Sequence, residues 1–111
     1  MQKKRVYIAH PLTSYGCPQS NQDTVTRICQ NIAQNEPDVI PISPVHAFQF
    51  MDRNGPQDKV IEYCKSLLLM CHEIRFFGEW WKSEGCVQEF AFATENNIPV
   101  VQVINCQKEV S

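Results

Sequence analysis

The chain has 111 residues, a formal net charge of −2, 43% hydrophobic and 20% charged residues. That size holds one hydrophobic core and no second domain, so residues 1–111 are expected to form a single domain, and the balance is that of a soluble globular protein rather than a disordered one. Basic residues are scattered apart from Lys3, Lys4 and Arg5, so no electrostatic footprint for nucleic acid is expected, and no apolar run has the length of a transmembrane helix or the form of a signal peptide. A cytoplasmic protein with no membrane and no nucleic-acid partner is the expectation.

In chain order, "RVYIA" (Arg5 to Ala9) is the first of four short β-branched runs predicted as strands. A helix follows in "SNQDTVTRICQNIAQN", where Ser20 and Asp23 form a variant capping box and Val25, Ile28, Cys29, Ile32 and Ala33 share one face. "DVIPI" (Asp38 to Ile42) is the second strand, Pro44 to Met51 a short extra turn, and "DRNGPQ" a loop. A second helix is expected over Asp58 to Cys71, with Val60, Ile61, Cys64, Leu67, Leu68 and Cys71 inward. Its end, "SLLLMC", is apolar nearly all round and predicts a second buried surface, such as a subunit contact. "EIRFFG" (Glu73 to Gly78) and "IPVVQVI" (Ile98 to Ile104) are the last strands; the helix between them is capped by Ser83 and ends near Asn96 and Asn97. Alternating strands and helices imply βαβ units: a three-layer α/β fold with a mostly parallel sheet of four to five strands, flavodoxin- or Rossmann-like.

The six cysteines (Cys17, Cys29, Cys64, Cys71, Cys86, Cys106) form no C-x-x-C pair and mostly fall in apolar periodic segments. They are expected as reduced structural thiols, with no metal site and no organic cofactor. Ligands of such sheets bind beyond the carboxyl ends of the strands. Here those ends carry "HPLTSYG" with His10 and Pro11, "SPVHAF" with His46, and "EWWKSEG" with Trp80, Ser83 and Gly85. His10 and His46 suit a base contact or a proton transfer, and suit ordinary polar loops better; Trp80 and Trp81 suit base stacking, and equally suit packing or a subunit contact.

Glu89 carries the sharper chemistry. On a helix from Glu84, residues Cys86, Glu89, Phe90 and Ala93 form one stripe, and helical side chains lean toward the N-terminus. That places the carboxylate over Gly85, whose missing side chain leaves room, beside the free amides and Ser83, a natural anion seat. A glutamate at the margin of the stripe reaching solvent satisfies the same spacing.

The stretch "GEWWKSEGCVQEFAFA" followed by "NNIPV", the opening "VYIAHPLTSYG" and the prolines at 41 and 44 resemble the nucleoside 2-deoxyribosyltransferase-like superfamily, closest to its small bacterial and phage members of unassigned function. The resemblance implies that Glu89 is a nucleophile attacking the anomeric carbon of a nucleoside or nucleotide, with Tyr7 lining the site and ordering it. It implies that Ser83 holds a 5′-phosphate, where the deoxyribosyltransferases carry an acidic residue. An N-glycosidase or deoxyribosyltransferase, with a small-molecule nucleoside or nucleotide as partner, is therefore expected. Homo-oligomers that complete each other's sites are also implied. One departure stands against catalysis: Cys64 occupies the register of the aspartate that protonates the departing base, Glu62 faces elsewhere, and His72 replaces another common aspartate. A non-catalytic binder of a nucleotide or NAD-derived signal uses the same pocket, and an interaction protein with a vestigial pocket accounts for "SLLLMC" alone.

Overall fold

The computed structural model describes residues 3–13, 16–52 and 55–103. Cys106, Ile104, Ser14, Tyr15, Arg53 and Asn54, named in the expectations above, lie outside the described residues. Four strands, β1 (Lys4–Ala9), β2 (Val39–Ile42), β3 (Glu73–Phe77) and β4 (Val100–Val103), form one all-parallel sheet in the order β2-β1-β3-β4. The helices are α1 (Pro18–Asn35), a single turn α2 (Pro44–Ala47), α3 (Asp58–Leu68) and α4 (Glu84–Glu95), with a 3₁₀ turn at Trp80–Lys82. The fold is the expected three-layer α/β sandwich.

Strand alternation sorts the core into two layers. Tyr7, Ala9, Ile74 and Phe76 pack with Cys64, Leu68, Cys86 and Ala93 of α3 and α4. Val6, Ile8 and Phe77 pack on the other side with Val25 and Ile32 of α1. The near-continuous apolar runs of β1 and β3 follow from burial on both faces. β2 carries Pro41, which has no N–H to give a ladder, and sits at the sheet edge where that loss is tolerated.

Three sequence expectations need correction. The first helix begins at Pro18, two residues before Ser20, with Cys17 at the cap position and no side-chain cap. Gly16 turns the chain there at φ +71°, and proline's fixed φ and missing N–H make it a ready first helical residue. Ala33, expected inward, is exposed. The second helix stops at Leu68 rather than Cys71; Leu69 and Met70 form a turn and are 56% and 62% exposed. Cys71 is nevertheless buried, as its apolar character demanded.

At the far end of α4 the chain turns through Asn97 at φ 59°, a left-handed stop that asparagine tolerates. No described helix is long and apolar enough to cross a membrane. Cys17, Cys29, Cys64, Cys71 and Cys86 are free thiols.

Candidate functional site

The strand order reverses between β1 and β3: from β1 the chain steps outward to β2, and from β3 it steps the other way to β4. Loops leaving the carboxyl ends of such neighbours diverge and open a crevice. A cavity of about 360 Å³ lies there. Ala9 and His10 line it from the end of β1, Pro44 and Val45 from α2, Cys64 from α3, and Ser83, Gly85 and Glu89 from α4.

The start of α4 is built by local chemistry. Ser83 is buried, holds extended backbone angles and accepts a hydrogen bond from the Cys86 amide at 3.3 Å, satisfying one free donor of the first turn. A methyl group added at Gly85 would meet nothing nearer than the Ser83 hydroxyl at 3.9 Å, so the glycine does leave open space. One turn on, Cys86, Glu89 and Ala93 are all buried along the expected stripe.

Glu89 is 8% exposed and accepts a hydrogen bond at Oε2 from the Tyr7 hydroxyl, donated from the centre of β1. No described residue hydrogen-bonds its Oε1, and the residue lines the cavity. Burial raises its pKa to about 7, partly offset by the Tyr7 hydrogen bond. Glu73 is a useful control in the same molecule, at 7% exposure. Burial works against its charge too. Yet Arg75 donates to one oxygen at 2.7 Å and Lys4 to the other at 2.8 Å, which holds its carboxyl below the usual range. Arg75 in turn forks onto Glu36 at 3.0 and 3.1 Å. One buried glutamate is locked by two cations; the other has a phenol and a cavity. A carboxylate left uncompensated at a crevice is the arrangement that active sites maintain and cores avoid.

Its neighbours share the dry environment. Burial and the nearby Glu89 raise Tyr7 well above the ordinary tyrosine value. Burial, with Glu89 adding to it, pushes the Cys64 and Cys86 thiols to about 12 each. Both therefore stay protonated at neutral pH. His10 lines the cavity as a neutral ring, its pKa lowered by burial. Its Nδ1 sits 2.6 Å from the Pro11 carbonyl. A carbonyl only accepts, so Nδ1 carries the proton and Nε2 is left as an acceptor.

Of the residues singled out in the sequence, Glu89, Ser83, Gly85 and His10 line the cavity; Tyr7 is fully buried and holds Glu89 by its hydroxyl, but does not form part of the expected wall. Pro11 is fully buried behind His10 and does not line the cavity. His46 is not at the cavity either. It takes the Ser43 hydroxyl at Nδ1 (2.6 Å) and meets Thr26 Oγ1 from Nε2 (2.8 Å), tying α2 to α1. Trp80 is also displaced from the cavity wall. It stacks on Phe90 at 5.1 Å and 12° and leans on Phe76, as a packing residue of the α4 layer; its buried Nε1 has no partner among the described residues. Cys86 was legible as a stripe residue but not as part of the wall. Asp58 and Gln22 line the cavity from the starts of α3 and α1. Nothing in their local sequence separates them from solvated helix residues.

A doubly wound parallel α/β domain with a buried carboxylate at its switch point is the class that fold and site define. The chain belongs to the family described as "Domain of unknown function (DUF7768)", whose pattern matches residues 4–103. No curated protein matches it. Among solved structures, a conserved protein from Enterococcus faecalis V583 superposes with a TM-score of 0.70, covering 97% of this chain and 72% of that one at 17% identity. That likeness shows a shared fold and carries no function with it.

Proposed function

We propose that the protein cleaves the N-glycosidic bond of a nucleoside or its 5′-monophosphate, with Glu89 as nucleophile, in the manner of the nucleoside 2-deoxyribosyltransferase-like enzymes its sequence resembles. The observation that carries this reading is the Glu89 carboxylate: buried in a residue that lines the cavity, hydrogen-bonded at Oε2 by Tyr7, and with no cation and no partner for Oε1 among the described residues. Tyr7 fixes the carboxyl plane and favours its ionised form. Oε1 then attacks the anomeric carbon, the C–N bond electrons leave with the base, and water hydrolyses the glycosyl ester. Ser83, Gly85 and the first amides of α4 form the seat for the sugar end, including a 5′-phosphate when one is present. The expected substrate pool is cytoplasmic.

Turnover of a panel of nucleosides and 5′-monophosphates, with free base read by chromatography, tests this directly. Base release at substoichiometric enzyme that disappears in a folded Glu89→Ala variant is the expected result. Release undiminished in that variant would refute the nucleophile.

A second reading rests on Cys64. A thiol at about 12 replaces the aspartate of the resembling enzymes, which favours a pocket that binds a nucleotide or NAD-derived signal without turnover. Thermal stabilisation by such ligands without base release would select it. The exposed Leu69 and Met70 turn belongs to the proposal as a subunit contact in a homodimer.

A further inference from the structure

The charge lining the cavity narrows the substrate, on the footing that Glu89 acts as just proposed. Among the described residues no lysine or arginine lines the cavity. Asp58 lines it on the α3 side, and Glu84 joins Glu89 on the α4 side. Carboxylates around a partly apolar wall favour a cation in their midst.

The proton inventory points the same way. An ordinary purine or pyrimidine leaves as an anion unless an acid protonates it, and general acid catalysis needs a donor within hydrogen-bond reach. The groups facing Glu89 from β1, α3 and its own helix are Tyr7, Cys64 and Cys86, all held in their protonated forms well above neutral pH. His10, just past β1, has spent its one N–H on the Pro11 carbonyl and offers only an acceptor. Asp58 and Glu84 are exposed to solvent.

We infer that the substrate is a nucleoside whose base carries a fixed positive charge, such as an N-ribosylated pyridinium, so that the base departs neutral and requires no acid. The balance closes without a further reactant. Oε1 bonds to the anomeric carbon, the C–N electron pair passes to the ring nitrogen and cancels its charge, and neutral base leaves. Water then cleaves the ester, returning the Glu89 carboxylate, free sugar and one proton. The wall of carboxylates that would oppose an anionic leaving group instead holds the cation in the ground state.

Nicotinamide riboside, its reduced dihydropyridine form and uridine separate the possibilities. The first carries a fixed charge, the second has nearly the same shape without it, and the third needs an acid. Base release from nicotinamide riboside at kcat/KM at least tenfold above uridine is expected, level or slightly rising from pH 7.5 to 9 as Glu89 completes its ionisation, with no fall because no acid is lost in that range. The reduced form should compete at least tenfold more weakly. Uridine turned over within tenfold of the cation, a fall of the cation's rate above pH 8, or equal competition by the reduced form would each overturn the inference while leaving the nucleophile intact. No base release from any of the nucleosides or their monophosphates would overturn the N-glycosidase reading as well. Glu89→Gln serves as the blank for spontaneous hydrolysis.

Discussion

Replacing Glu89 by glutamine should stabilise the protein, and by an amount that depends on pH. Glutamine copies the shape of the protonated carboxyl and keeps an oxygen for the Tyr7 hydroxyl, while removing the charge. In the folded chain the carboxyl titrates at about 7; its ordinary value is 4.5. Below about pH 4.5 both states hold the proton and nothing is lost. Between about pH 4.5 and 7 the unfolded chain sheds the proton while the folded one keeps it, so stability falls, and it levels off above 7 once the buried group ionises as well. At about 1.4 kcal/mol for each tenfold change in proton affinity, the loss is about 3 kcal/mol by pH 8.5. For a domain of this size that corresponds to about 10 °C in Tm. Thermal and urea unfolding of wild type and Glu89→Gln at pH 4.5, 6, 7 and 8.5 measures it, since the contributions of all other acids cancel in the difference. The variant should match wild type at the acid end and exceed it at the alkaline end. A difference that stays constant across this range would refute the claim that Glu89 is held in a dry, uncompensated site.

Tyr7→Phe removes the one hydrogen bond that favours ionised Glu89, so the carboxyl's titration, followed by NMR or by the acid limb of base release, should move to higher pH. Arg75→Met leaves Glu73 with Lys4 alone and Glu36 without its fork; unfolding should show a loss of about 2 kcal/mol, below the 3–5 seen for fully buried pairs because Lys4 remains. Ser83→Ala deletes the cap of α4 and should cost about 1 kcal/mol in the same assay. Sedimentation at micromolar concentration should show a dimer that Leu69→Glu with Met70→Glu dissociates; a monomeric wild type would remove that part of the proposal.

Much of this architecture was legible because it rests on local rules. The apolar runs of β1 and β3, the Ser83 cap and the i, i+3, i+7 stripe through Cys86, Glu89 and Ala93 are each fixed by a few neighbouring residues. The misjudged places depend on something further off or on a competing local device. Pro18 overrode the capping pattern at Ser20. His46 and Trp80 sit after strands, where ligand contacts are common, but their partners Thr26 and Phe90 come from other elements. The pairing of Glu73 with Lys4 and Arg75 was likewise hidden, since half of it spans 69 positions of sequence. No periodicity distinguishes Glu73 from Glu89; only their surroundings do.

The Tyr7–Glu89 hydrogen bond joins residues 82 apart, one on the central strand at the start of the chain and one on the final helix. Until α4 docks on β1 and β3, the carboxylate stays in water and ionises freely. Long loop closure makes early pairing of these two segments costly, so the desolvation of Glu89 is expected to follow the rate-limiting step of folding. A charge at position 89 should accordingly leave the refolding rate nearly untouched and appear almost wholly in how fast the native state opens, with Glu89→Gln slowing that opening at alkaline pH.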